Sequence, residues 1–338
     1  MKFWSRRVAP PPIMLNEQGI VNHVTENNKM KVCGSRRFGN DELYIGHVPS
    51  IAGIGFPTTL VVKKFQNMNP ALQVDDNVKN RCKSEMILLA SIAHHNIIKI
   101  LDVSERDEAI MLVYKYEVNC NLDYWLHPQD GADRLLSWPK RMAVAIGMVK
   151  GLSHLHHGCN KPIVHHNINS NNILLGQKFK AMTASFGVAQ MNMAGLERRL
   201  PITNPPPGSF GYAAPEYCNA ACQLTEKVDI YSFGVVLLEL VTGRVASGAG
   251  PNGLLATWAR RNCNELMANH LERFKTEVDQ GIPDQARYMK EMTTVFRLGV
   301  DCTVEDPHKR PSMQLALKRL RRGRGHGPLC GLFTSYLM

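Results

Sequence analysis

No apolar run in the sequence is long enough to cross a bilayer. The longest, Phe233 to Val241, is interrupted by Glu239 and falls far short of the ~20 residues a spanning helix needs. A zinc-type cysteine pattern is missing too. Of the nine cysteines only Cys218 and Cys222 stand close together, with no second pair or histidine couple at ligand spacing. An odd number of cysteines scattered over 338 residues is no disulfide framework and fits a reducing compartment. Internal repeats and low-complexity blocks are absent, which argues against solenoids and arrays. The N-terminus does not read as a secretory signal, since Arg6 and Arg7 lead into Pro10-Pro11-Pro12 and not into an apolar stretch. The expected location is the cytoplasm.

Acidic residues are in deficit. Lys and Arg number 40 against 29 Asp and Glu, a formal net charge of +11. That balance favours an anionic partner, while a plain solvated basic surface explains it as well. With 44% apolar and 20% charged residues, the composition is globular and excludes wholesale disorder. The length suits one large domain or two ordinary ones.

Patterning divides the chain. Residues 1–27 read as a proline-bearing tail. From Met30 to Phe65, short β-type runs (Lys31-Val32-Cys33, Leu60-Val61-Val62-Lys63) alternate with Gly34, Gly39, Gly46, Gly53 and Gly55, a texture of strands and turns. Apolar residues recur at helical spacing over 80–93, and Ala109 to Tyr116 has strand length. Beyond Leu122 the pattern turns helical. Met142, Ala145, Ile146, Val149 and Leu152 fall on one face of a helix from Trp138 to His156, and further helices are predicted over 227–243, 252–270, 286–303 and 312–322. The fold class is α+β: a small β-rich lobe (28–117), a hinge near 115–120, a larger α-helical lobe (118–322) and a C-terminal tail (323–338).

Several segments then follow in a specific order. Gly34-Ser35-Arg36-Arg37-Phe38-Gly39 precedes Lys63 on a strand, and Glu85 lies on the next helix. His165-His166-Asn167-Ile168-Asn169-Ser170-Asn171-Asn172 comes later, followed by Ser185-Phe186-Gly187 and Ala214-Pro215-Glu216. A glycine loop alone is weak evidence, whereas this succession is strong. The chain resembles the protein-kinase family, whose fold is bilobal. The stretches Gly151 to Cys159, Gly208 to Tyr217 and Asp229 to Leu240 look like the intracellular domain of plant leucine-rich-repeat receptor-like kinases. The resemblance covers roughly residues 20–322.

The resemblance assigns Lys63 and Glu85 to the pair that holds the nucleotide phosphates. Tyr114 takes the gatekeeper place before the hinge residues Lys115 and Tyr116, with Gly34, Arg36 and Gly39 in the phosphate loop. His165 and Asp229 would support the catalytic loop, and Glu216 with Arg310 would form a buried ion pair. Several positions depart from the family pattern. Arg36 replaces the middle glycine and obstructs backbone approach to phosphate, or offers its own cation to it. Asp41 replaces the valine that would cover adenine. His166 stands for the arginine, Asn167 for the aspartate base and Asn169 for the lysine of the catalytic loop. Ser185 stands for the metal-holding aspartate, which leaves Asn172 as the remaining metal position.

The resulting expectation is a pseudokinase, a signalling scaffold or allosteric partner that binds ATP weakly at most and magnesium poorly. The alternative is an active ATP-dependent serine/threonine kinase with slow phosphotransfer. Expected partners are active receptor-like kinases docking on the activation segment, where Thr203 and Ser209 are candidate phosphate acceptors. His154, His156 and His157 read as ordinary family text, not as metal ligands. The run Lys318, Arg319, Arg321, Arg322 and Arg324 reads as the solvated end of a last helix, with anionic lipid as the other reading. No nucleic-acid partner is expected, and membrane association would be indirect or through this basic surface, at the inner face of the plasma membrane.

Overall fold

Runs rich in β-branched and aromatic residues build one antiparallel sheet in the computed structural model. The structure describes residues 30–31, 42–48, 58–65, 76–106, 109–115, 119–128, 131, 134–191, 208–218, 224–248, 253–268 and 270–323. Strands β1 (Met30–Lys31), β2 (Glu42–Val48), β3 (Thr58–Phe65), β4 (Ile100–Arg106) and β5 (Ala109–Lys115) lie in the order β1-β2-β3-β5-β4. Lys63 pairs with Leu112, and Val61 with Tyr114. Because side chains alternate along a strand and paired residues share a face, Lys63 and Tyr114 point to the same side of the sheet.

Helix α1 (Asp76–Ser91) packs against β4 and β5. Its buried residues Cys82, Glu85, Leu88 and Leu89 recur at the three- and four-residue spacing of one helix face. Glu85 is therefore carried into the interior by the same stripe that buries its apolar neighbours.

The second lobe contains α2 (Leu122–Leu126), α3 (Trp138–His157), β6 (Ile163–Val164), β7 (Ile173–Leu175), β8 (Ala181–Thr183) and β9 (Gln190–Met191). It continues with α4 (Lys227–Thr242), α5 (Leu255–Ala268), α6 (His270–Glu277), α7 (Gln285–Cys302) and α8 (Met313–Gly323). Helix α3 begins with a proline in its first turn, where the missing N–H costs nothing. Helix α4 is buried from Val228 to Thr242, with apolar residues around most of its circumference and Asp229 and Glu239 buried among them. It ends at Gly243, whose φ of +66° is the left-handed cap that glycine adopts freely.

The helix read from sequence over 252–270 is α5 at Leu255–Ala268, while α6 at His270–Glu277 was not foreseen. The sequence reading also passed over β4 and the short α2. Gly34, Arg36, Gly39, Asp41, Tyr116, Thr203, Arg324 and the residues 1–27 of the N-terminal tail lie outside the described residues.

Candidate active site

The shared face of β3 and β5 meets the buried stripe of α1 at one carboxylate. Lys63 Nζ donates to Glu85 Oε2 at 2.9 Å, and the Tyr114 hydroxyl donates to Glu85 Oε1 at 2.9 Å. The ion pair is almost fully enclosed, with side-chain exposures of 8% and 1%. An ordinary exposed surface pair is thereby ruled out.

The loop that begins at His165 hangs from Asp229 on α4. The backbone N–H groups of His165 and His166 donate to Asp229 Oδ2 and Oδ1, each at 2.8 Å. His156 Nε2 lies 2.9 Å from Oδ2. Burial alone would raise the Asp229 carboxyl, but the His156 hydrogen bond and the surrounding imidazoles outweigh it and hold the group below its ordinary value. The His165 ring stacks edge-on against Phe186 at 4.6 Å. Its Nδ1 accepts from Asn167 N at 3.2 Å, which leaves Nε2 as the donor to Ala184 O at 3.1 Å. Complete burial pushes this imidazole down to about 4, so it is neutral at physiological pH.

His166 occupies the left-handed region with φ of +64°, uncommon for a side chain of this size. Its ring is buried and its Nδ1 lies 2.9 Å from the Tyr217 hydroxyl. Ser185 also has positive φ, +70°. Ala184 N donates to Asn172 O at 2.9 Å, which brings the Ser185 segment beside Asn172.

Asn167, Asn169 and Asn172, singled out in the sequence by resemblance, form a cluster of amides. Asn169 Nδ2 donates to Asn167 Oδ1 at 2.9 Å, Asn172 Nδ2 donates to Asn167 O at 2.8 Å, and Asn172 N donates to Asn169 Oδ1 at 3.1 Å. The Asn167 amide oxygen is thus engaged by its neighbour. Asn172 Oδ1 is buried without a hydrogen-bond partner, an atom positioned to accept from a ligand. Among the described residues no group of three or more His, Cys, Asp or Glu side chains is arranged to hold a metal ion.

The surrounding frame is complete. Arg310 grips Glu216 with two bonds, Nη1 to Oε1 at 2.6 Å and Nη2 to Oε2 at 2.8 Å. It also donates from Nε to Val304 O at 2.8 Å. Tyr212 donates to Glu239 Oε1 at 2.6 Å, and its hydroxyl lies 2.8 Å from Ser170 Oγ. His127 Nε2 approaches the same Glu239 oxygen at 3.1 Å. Burial raises the Glu239 carboxyl above its ordinary value. This network and the Tyr114 bond escaped the sequence reading, although strand alternation already puts Tyr114 on the Lys63 face. Ser209, a candidate phosphate acceptor, is only 4% exposed, whereas its neighbour Phe210 is 72% exposed. A kinase would therefore have to open the segment to reach Ser209.

Among the described residues no helix is long and apolar enough to cross a membrane. The family model for the protein kinase domain matches residues 58–320. The chain is 35% identical over 266 residues to MDIS1-interacting receptor like kinase 1 of Arabidopsis thaliana, covering 78% of this chain and 25% of that one. It is 35% identical over 315 residues to the leucine-rich repeat receptor protein kinase EMS1 of Arabidopsis thaliana, covering 92% and 24%. With the leucine-rich repeat receptor protein kinase MSP1 of Oryza sativa subsp. japonica it shares 33% over 251 residues, 73% and 18% of the two chains. The chain spans about a quarter or less of the length of these relatives. With a bilobal frame, an intact Lys63–Glu85 pair and these similarities, the chain belongs to the protein kinase domain family, in its plant leucine-rich-repeat receptor-like branch.

Proposed function

We propose that this kinase domain has lost phosphotransfer and works as a pseudokinase, a folded docking and allosteric partner in receptor-like signalling. The observation that carries the reading is the neutrality of its reaction centre. Asn167 can orient a hydroxyl but cannot take its proton, and a general base is worth about 10²–10⁴ in rate. The Asn167 amide oxygen is in any case engaged by Asn169. A magnesium ion would find Asn172 Oδ1 and the Ser185 hydroxyl, with no carboxylate at either position. That donor set does not fit a hard, strongly hydrated dication. Asn169 brings no positive charge to a transferring phosphoryl group, and Arg36 stands where backbone approach to phosphate needs glycine. Lys63 remains able to meet phosphate, which supports weak, metal-independent ATP binding.

The likeness to receptor-like kinases supports an active kinase of that class as partner, docking on the helical lobe around the exposed Phe210, at the inner face of the plasma membrane. The second reading, a slow serine/threonine kinase, draws on the assembled Lys63–Glu85 pair and the His165–Phe186 stack. Calorimetric titration of ATP with and without magnesium separates the two. The pseudokinase reading expects affinities that agree within a few fold, whereas tight binding strengthened tenfold or more by magnesium, about 1.4 kcal/mol, overturns it.

A further inference from the structure

The loop after α1 crosses α3 at close range because α3 carries glycines there. A Cβ at Gly147 would meet Asn96 Nδ2 at 3.0 Å, and one at Gly151 would meet Asn96 O at 2.8 Å. Asn96 Nδ2 donates to Ala181 O at 2.8 Å, and Ile98 N donates to Thr183 O at 2.9 Å, so the loop is fastened to β8 as well. This clamp lays the His94 ring on the His154 ring, with centroids 4.8 Å apart and planes 15° from parallel. Asn96 N donates to His94 Nδ1 at 3.1 Å. An accepting Nδ1 places the proton of the neutral ring on Nε2, so His94 presents a fixed N–H donor.

The basic groups His154, His95, Lys150 and Lys180 all act on His94. Lys150 and His154 are four residues apart and share one face of α3. His95 comes from the loop, and Lys180 from the residue before β8. Burial, joined by these neighbours, pushes His94 down to about 4. Three segments thus bring basic side chains to a rigid stacked imidazole pair, none of which serves the reaction centre described above.

We propose that this face binds a phosphate monoester on a phosphorylated peptide segment of a partner protein. A phosphate dianion supplies three strong acceptor oxygens. It matches the fixed His94 N–H together with the exposed Lys180 ammonium and His95 ring better than a single carboxylate does. His94 and His154 are half-buried while His95 and Lys180 are exposed. A phosphorylated side chain on an extended peptide can reach the rings, whereas a flat lipid surface would meet only the outer cations. The inference stands whether or not the reaction centre is active.

The test follows the histidine ring NMR signals of the full chain during titration with a short phosphothreonine peptide, its unphosphorylated form, inorganic phosphate, and phosphatidylserine vesicles. The expected result is that the His94 and His154 signals move with the phosphopeptide, move less with inorganic phosphate, and stay still with the unphosphorylated peptide. The double variant His95→Ala and Lys180→Ala, at exposed positions, should bind the phosphopeptide about tenfold more weakly or worse with unchanged thermal unfolding. Equal response to both peptides, undiminished binding by the double variant, or a response to vesicles alone would overturn the proposal.

Discussion

Tyr114 donates its hydroxyl to Glu85 Oε1 at 2.9 Å, closing from β5 the carboxylate whose other oxygen accepts from Lys63 at 2.9 Å. Helix α1 is therefore tied to the sheet by two bonds to one carboxylate. Tyr114→Phe keeps the ring and removes the bond, leaving a buried carboxylate oxygen short of a donor. Such a loss costs about 1–3 kcal/mol, or roughly 2–4 °C of Tm per kcal/mol for a domain near this size. Thermal unfolding of the variant measures it, and an unchanged Tm would show that the bond contributes nothing to the frame.

A second tie holds the helical lobe. Removing Arg310 would strand Glu216, whose side chain is 5% exposed, and breaking a buried pair of this kind costs about 3–5 kcal/mol. Arg310→Met should lower the denaturation midpoint sharply. Arg310→Lys should recover only part of the loss, because an ammonium cannot make the planar two-bond grip. Full recovery by lysine would argue that charge alone, without the fork, supports the lobe.

Acid should loosen the fold before the ordinary carboxylates titrate. His165 and His94 both sit near 4 in the folded chain, against about 6.5 for a free histidine. The unfolded chain therefore takes up protons first. The stability these rings contribute is present above about pH 6.5 and is lost as pH falls towards about 4. Glu239, raised by burial, acts with the opposite sign: the folded state gains its proton first as pH falls. Glu239→Gln should therefore steepen the acid loss. Denaturant midpoints at several pH values between 7 and 4.5 check both statements, and a flat profile would contradict the buried neutral histidines.

Much of this was readable in the sequence because local pattern and fold agreed. The helix over 138–156, read from its apolar face, is α3 at Trp138–His157. The expected Glu216–Arg310 and Lys63–Glu85 pairs are both present, the second with a partner the reading did not foresee. Contacts that depend on which face two distant segments share were not readable. Tyr212, Ser170, Glu239 and His127 are far apart in sequence and polar, so neither periodicity nor motif spacing links them. The same holds for the His94–His154 stack, which exists because Gly147 and Gly151 let a loop approach α3. His154 had been read as ordinary family text. Burial of Ser209 was equally invisible, since serine in a glycine-rich stretch reads as an exposed turn.

The central claim is that chemistry is missing while the frame is sound, and phosphate transfer to a generic protein substrate tests it most directly. Labelled phosphate incorporation is compared for the parent chain, for Asn167→Asp and Ser185→Asp singly, and for the fourfold variant that adds Asn169→Lys and Arg36→Gly. The effects of base and metal ligand should be strongly non-additive, because each is idle without the other. The predicted result is no incorporation above background by the parent, little by either single variant, and clear incorporation by the fourfold variant. Incorporation by the parent at the level of the fourfold variant would contradict the pseudokinase reading outright.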